Sequence, residues 1–152
     1  MSKKLIEKFD FAVLGFIKKY HLAIARVAIF IVYFWFGILK VIGSSPAQPL
    51  VQQLQQKILP FISFNNFFIL FALFEMLIGL LFLIRGAERL VMVLLVAHLI
   101  TTCLPLILLP QITWQGFLTP TLEGQYIIKN VLIVALAFVV AAQMEFLGEK
   151  KR

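Results

Sequence analysis

One cysteine and two histidines are all the thiol and imidazole groups in this chain of 152 residues. A lone Cys103 closes no disulfide within the chain and builds no multi-thiolate metal site. His21 and His98 fall at different depths of different apolar runs, too far apart to hold one haem iron between them. There is no phosphate-cradling glycine loop, no HExxH, no nucleophile elbow and no pair of thiols, so the motif-bearing hydrolases and dithiol exchangers drop out. Acids are scarce too, with seven Asp and Glu against fourteen Lys and Arg.

What abounds is apolar. The chain is 62% hydrophobic and carries 16 phenylalanines, well above the roughly 45–50% apolar usage of soluble domains. A membrane span needs about 20 apolar residues, and four runs reach that scale, at about 22–42, 66–84, 90–109 and 127–142. The expected fold class is all-α: an integral membrane, antiparallel four-transmembrane-helix bundle, with no separate soluble domain. No sequence repeat relates the halves, which argues against an inverted-repeat transporter.

Net charge is +7, but its placement matters more than its size. Lys3, Lys4, Lys8, Lys18, Lys19, Arg26, Arg85, Arg89, Lys150, Lys151 and Arg152 gather at the N-terminus, the second connection and the C-terminus. Only Lys40, Lys57 and Lys129 lie elsewhere. By the positive-inside rule both termini are expected to be cytoplasmic. The basic groups then meet anionic membrane lipids rather than nucleic acid. The N-terminus lacks the pattern of a cleaved secretory signal.

Residues 3–19 place Leu5, Ile6, Phe9, Ala12, Val13, Phe16 and Ile17 on one helical face with lysines on the other. That pattern predicts a separate amphipathic helix lying in the membrane interface ahead of the first span. After span one, Ser45 and Pro46 suit a helix cap and first position, and Leu50, Val51, Leu54 and Ile58 mark one face of a short outer helix. The tight turn from Arg85 to Arg89 forces spans two and three antiparallel. Pro105 should kink span three, with Thr101 and Thr102 close enough to meet freed backbone groups. Residues 111–126 read as an outer loop.

The spans carry groups that lipid does not tolerate freely. Glu75, His98 and Lys129 interrupt them, and a charge at membrane depth costs about 2.5–3.5 kcal/mol on insertion scales, which marks such residues as candidate functional groups. At 1.5 Å per residue, Lys40, Lys129 and Asn130 fall near the outer end while Glu75 and His98 lie deep. A polar column of Lys40, Glu75, His98, Thr102, Lys129 and Asn130 is therefore expected to open outward. Glu75 either pairs with a lysine or His98 to handle protons or bind a ligand, or is a neutral carboxyl that glues helices. His98 suits proton transfer or contact with a quinone carbonyl near neutral pH. Lys40 and Lys129 either attract an anionic group or snorkel to headgroups. Glu123 and Gln125 are expected to cap span four, and Cys103, in an apolar setting, is expected to be inert.

The strings FWFGILKVIGSSPAQPL and PTLEGQYIIKN, with FEMLIGLLFLI and HLITTCLPLILLP between them, resemble the DoxX-like superfamily of small four-helix bacterial membrane proteins. The branch most similar holds inner-membrane proteins of a reactive-chlorine resistance system. The resemblance covers about 26–143, and PTLEGQYIIKN is its most specific piece. Some members belong to a thiosulfate:quinone oxidoreductase or to complexes of thiol and oxidative-stress defence. The resemblance picks out Lys40, Glu75, His98, Glu123, Gly124, Gln125, Lys129 and Asn130.

Three functions stay open on these grounds. The first is a redox- or oxidative-stress-associated subunit of a membrane oxidoreductase, with an outward-facing pocket for a quinone or small polar ligand. Glu75 and His98 are then its catalytic pair, and Lys40, Thr102, Glu123, Gln125, Lys129 and Asn130 its ligand-binding set. The second is a small proton or anion transporter or channel. The third is a non-catalytic membrane scaffold, joined with its own copies or with other membrane proteins. No metal site is expected.

Overall fold

The computed structural model describes residues 3–144; Phe146 and the basic tail lie outside them. The first helix, α1, runs from Lys3 to Val41 without interruption. The expected interfacial helix and first span are thus one helix of 39 residues, about 58 Å long at 1.5 Å per residue. No proline falls between them, and the one glycine of the arm, Gly15, is tolerated inside a helix at a cost of about 1 kcal/mol. The helix stops where it must: Gly43 adopts a left-handed φ of 71°, its N–H bonds Lys40 O and the Ser44 N–H bonds Leu39 O at 2.8 Å. That is the pairing with which glycine ends helices.

Helix α2 spans Gln48–Ile58, beginning two residues beyond Pro46, with Pro49 in its first turn. The Ser45 hydroxyl accepts from the Ala47 N–H ahead of it at 3.3 Å. Helix α3 covers Phe64–Leu83 and is capped by Ser63, whose side chain accepts from the Asn66 N–H. A turn through Gly86, at φ 91°, leads to α4, Glu88–Cys103. Pro105 starts a short α5, Pro105–Leu108, which continues α4 closely enough for Glu88–Leu108 to form one long apolar helix.

The expected loop is ordered. It folds as α6, Pro110–Thr113, a two-stranded antiparallel hairpin of β1, Trp114–Gly116, and β2, Thr119–Pro120, and α7, Leu122–Ile128. Then α8 covers Asn130–Ala141. The prolines cost backbone partners, and side chains take up the carbonyls left over. Lys57 donates to Leu108 O at 2.7 Å, the Trp114 indole to Leu106 O at 2.9 Å and Thr121 to Ile112 O at 2.6 Å.

Four helices, Lys3–Val41, Phe64–Leu83, Glu88–Leu108 and Leu122–Ala141, are long and apolar enough to cross a membrane. All four feed one apolar core: Ala25, Ile29 and Tyr33 from α1, Ile78 and Phe82 from α3, Val91 and Leu95 from α4, and Ile133, Ala137 and Val140 from α8. Glycines let α1 and α3 touch. A Cβ at Gly37 would lie 2.9 Å from Ala72 O and collide with Met76, and one at Gly79 would lie 3.1 Å from Phe34 N. Small residues serve this close approach where helices have little hydrophobic drive to associate.

Candidate functional site

Each deep polar residue lies on the buried stripe of its own helix. On α1 the buried positions are Ala25, Ile29, Tyr33, Gly37 and Lys40, spacings of four, four, four and three that stack on one face. On α3 the stripe runs Phe68, Ala72, Glu75, Ile78, Gly79 and Phe82, and on α4 it runs Val91, Leu95 and His98. The close contact at Gly37 sets the Lys40 end of α1 against Glu75. Lys40, Glu75 and His98 are then only 5%, 7% and 5% exposed, so their charges must be settled inside the protein.

They are settled by one another. Lys40 Nζ donates to Glu75 Oε2 at 2.6 Å. The other carboxylate oxygen, Oε1, lies 3.1 Å from His98 Nε2, and His98 Nδ1 lies 3.2 Å from the Tyr33 hydroxyl. One set of proton positions satisfies this chain with no net charge: ammonium, carboxylate, an imidazole protonated at Nε2, and a tyrosine donating to Nδ1. That tautomer is assigned from the hydrogen-bond partners. Neutrality matters because an unpaired ion in an apolar interior costs several kcal/mol.

Aromatic rings close the cluster. Phe71 stacks on the His98 imidazole with centroids 5.1 Å apart and planes 17° apart. Its ring centroid also lies 5.7 Å from Lys40 Nζ, a cation–π distance. Tyr33 meets His98 edge-on at 5.1 Å. Thr102 joins from one turn on, its hydroxyl 3.3 Å from His98 Nδ1 and donating to His98 O at 2.9 Å. Thr101 donates to the same carbonyl at 2.7 Å, so both threonines serve His98 O. Among the described residues every buried side-chain nitrogen and oxygen has a hydrogen-bond partner.

Of the residues selected from the sequence, Lys40, Glu75, His98 and Thr102 come together. The others do not join them. Glu123, Gln125 and Lys129 are exposed and Asn130 is half-buried, and Lys129 Nζ sits 5.0 Å from the Tyr126 ring centroid. The cap of α7 is Thr121, which accepts from the Gly124 N–H at 3.1 Å; Glu123, expected as a cap, lies in the first turn instead. Gly124 is the buried member of that motif: a Cβ there would collide with Thr113 O and lie 3.0 Å from Pro120. Cys103 lies on the exposed face of α4.

Tyr33 and Phe71 were not singled out from the sequence, since aromatic residues in an apolar run look like packing. Tyr33 had one readable signal, its place seven residues before Lys40 on the same helical face. Arg26 was read only as part of the basic cluster. It pairs with Glu88 and donates to Phe82 O at 3.0 Å, tying α1 to the α3–α4 turn about 21 Å along α1 from Lys40. Gln55 is 2% exposed and donates to Leu59 O at 2.6 Å and Ile62 O at 2.7 Å, holding the α2–α3 connection. Among the described residues no group of three His, Cys, Asp or Glu side chains is placed to hold a metal ion.

Among the described residues, the fold and site define a helical protein with four membrane-length helices, three of which meet at a buried, hydrogen-bonded polar cluster. No family model, curated protein or solved structure matches the chain.

Proposed function

We propose that this chain is a small multi-pass protein of a bacterial inner membrane, an antiparallel bundle of four spans with both termini cytoplasmic. Its cluster of Lys40, Glu75, His98 and Tyr33 is a proton relay within a redox- or oxidative-stress-associated membrane subunit of the DoxX-like kind. The observation that carries this reading is the sharing of one carboxylate between Lys40 and His98, with Tyr33 on the imidazole's far nitrogen. Charge cancellation alone needs only the lysine and the carboxylate. Adding an imidazole between the carboxylate and a phenol makes a string of groups that can pass protons along hydrogen bonds. Basic residues at the Arg26 end of the molecule support the cytoplasmic assignment of that end.

A quinone or small anion needs a donor with capacity to spare. The His98 nitrogens and the Tyr33 hydroxyl are engaged within the cluster. The Lys40 ammonium has three N–H groups and gives one to Glu75, so Lys40, with the half-buried Phe71 ring beside it, is the donor such a ligand would use. His98 and Glu75 hold the exchangeable proton behind it.

A second reading has its own observation. The full set of partners for buried polar atoms also suits a non-catalytic scaffold, in which the cluster locks α1, α3 and α4 together. Infrared difference spectroscopy on purified protein in lipid nanodiscs, with a short-chain quinone added, separates the two. The relay predicts saturable quinone binding that perturbs a carboxylate band, the band being absent in Glu75→Gln and binding being weakened in Lys40→Met. No saturable binding, with full stress resistance retained in a folded Glu75→Gln variant, would leave the scaffold.

A further inference from the structure

Helix α1 is far longer than a membrane needs. Its 39 residues extend about 58 Å, against a hydrocarbon thickness of about 30 Å. The shared core begins at Ala25, and every residue from Lys3 to His21 is exposed. That leaves an arm of about five turns beyond the core.

The arm is not built for water. Phe9, Phe11 and Phe16 are 71%, 83% and 56% exposed, and Leu5, Ile6, Leu14 and Ile17 are all exposed beside them. Between Lys8 and Lys18 the only charged residue is Asp10. Exposed apolar surface on this scale marks a contact with a membrane or another protein. The flanks choose between them. Lys3, Lys4, Lys8, Lys18 and Lys19 outnumber Glu7 and Asp10, so a like-charged arm of a second copy is repelled while an anionic headgroup layer attracts it, each lysine near such a surface being worth about 1 kcal/mol.

The junction of arm and span has a feature that suits a bend. His21 Nδ1 lies 3.0 Å from Lys18 O and 3.2 Å from Ile17 O. A ring N–H placed there satisfies carbonyls that a bend would release from the backbone ladder, the way local side-chain bonds compete with helix.

We propose that the arm, Lys3–Tyr20, is a surface-binding element for anionic phospholipid, which hinges at Lys18–His21 to lie along the leaflet with its phenylalanines among the acyl chains. The inference rests on the membrane placement of α1 and not on the polar cluster.

The test places single nitroxide labels at Ile6→Cys, Phe9→Cys, Val13→Cys and Phe16→Cys in full-length Cys103→Ser protein. Reconstitution is in phosphatidylcholine vesicles with or without phosphatidylglycerol. With the anionic lipid, all four labels should show high oxygen and low nickel-chelate accessibility at similar depth. Phosphatidylcholine alone, or Lys8→Gln, Lys18→Gln and Lys19→Gln combined, should return them to water. Labels that become steadily more water-exposed toward Ile6 in both lipids mean an upright arm and overturn the proposal. So does burial that depends on protein-to-lipid ratio, which assigns the arm to a second copy. A label inside a span, at Val131→Cys, should remain lipid-buried in every case, so loss of membrane insertion is distinguished from failure of the arm.

Discussion

Glu75 bridges a lysine and a histidine: its Oε2 accepts from Lys40 Nζ at 2.6 Å and its Oε1 lies 3.1 Å from His98 Nε2. Three helices meet at that one carboxylate, Lys40 coming from α1, Glu75 from α3 and His98 from α4. The junction is both a structural tie and the site of any proton chemistry, and substitutions separate the two roles.

Removing one charge of the buried pair should hurt more than removing both. Glu75→Ala leaves a buried ammonium without its anion, and breaking such a pair costs about 3–5 kcal/mol, whereas apolar replacement of both partners is often neutral or stabilising. Lys40→Met with Glu75→Met should therefore recover most of the stability lost in Glu75→Ala. Unfolding in detergent micelles, followed by circular dichroism, measures both. A double variant no more stable than Glu75→Ala would mean that the loss comes from the contacts Glu75 makes, not from the ammonium it leaves unpaired.

Tyr33→Phe tests the far end of the chain. The ring stays and keeps its edge-on contact with His98, while the hydroxyl partner of Nδ1 disappears. Thr102 remains 3.3 Å from that nitrogen, so the loss should be about 1 kcal/mol, the net worth of one hydrogen bond. Nitrogen-15 chemical shifts of labelled His98 should report a change at Nδ1 with the global fold intact. Unaltered shifts would remove Tyr33 from the cluster.

The sequence disclosed depth better than direction. Counting residues along each run put Glu75 and His98 deep and Lys40 near an end, and α3 and α4 begin within two residues of the expected starts. Rise along a helix says nothing about azimuth, however, which is why Lys129 and Asn130 looked like neighbours of Lys40. The buried stripe of α7 contains Gly124 and Ile127, one turn apart, and Glu123, Gln125 and Lys129 point off it. Continuity of α1 was hidden by composition, since a lysine-rich amphipathic stretch and an apolar span read as two elements when no residue between them breaks the helix. The hairpin was hidden by its size. Two strands of three and two residues carry no alternation long enough to detect, and its turn uses Leu118 at a φ of 54° rather than glycine.

Arg26→Gln should loosen α1 at its second tie. The guanidinium pairs with Glu88 and bonds Phe82 O, and both side chains are mostly but not fully buried, at 14% and 17% exposure. Partial exposure softens the loss of an ion pair, so about 1–2 kcal/mol is expected, mostly from the uncapped carbonyl and the stranded Glu88. Hydrogen exchange should rise first at the turn between α3 and α4 and leave the amides around Glu75 protected. Uniform loss of protection would show that the two ties of α1 are not independent.

Glycine substitutions give opposite signs on one helix. At Gly37 a Cβ would come 2.9 Å from Ala72 O as well as colliding with the Met76 side chain. Met76 can rotate away, but the carbonyl belongs to the α3 backbone, so α1 and α3 must part. Gly37→Ala should cost about 1–3 kcal/mol, as overpacking does, and should lengthen the Lys40–Glu75 contact one turn away. Gly15 has nothing within 4 Å of a built Cβ and is helical and exposed. Gly15→Ala should instead gain up to about 1 kcal/mol of helix stability. Thermal unfolding of the two variants side by side checks the contrast, and an unchanged Gly37→Ala would mean that α1 and α3 do not approach as closely as their glycines allow.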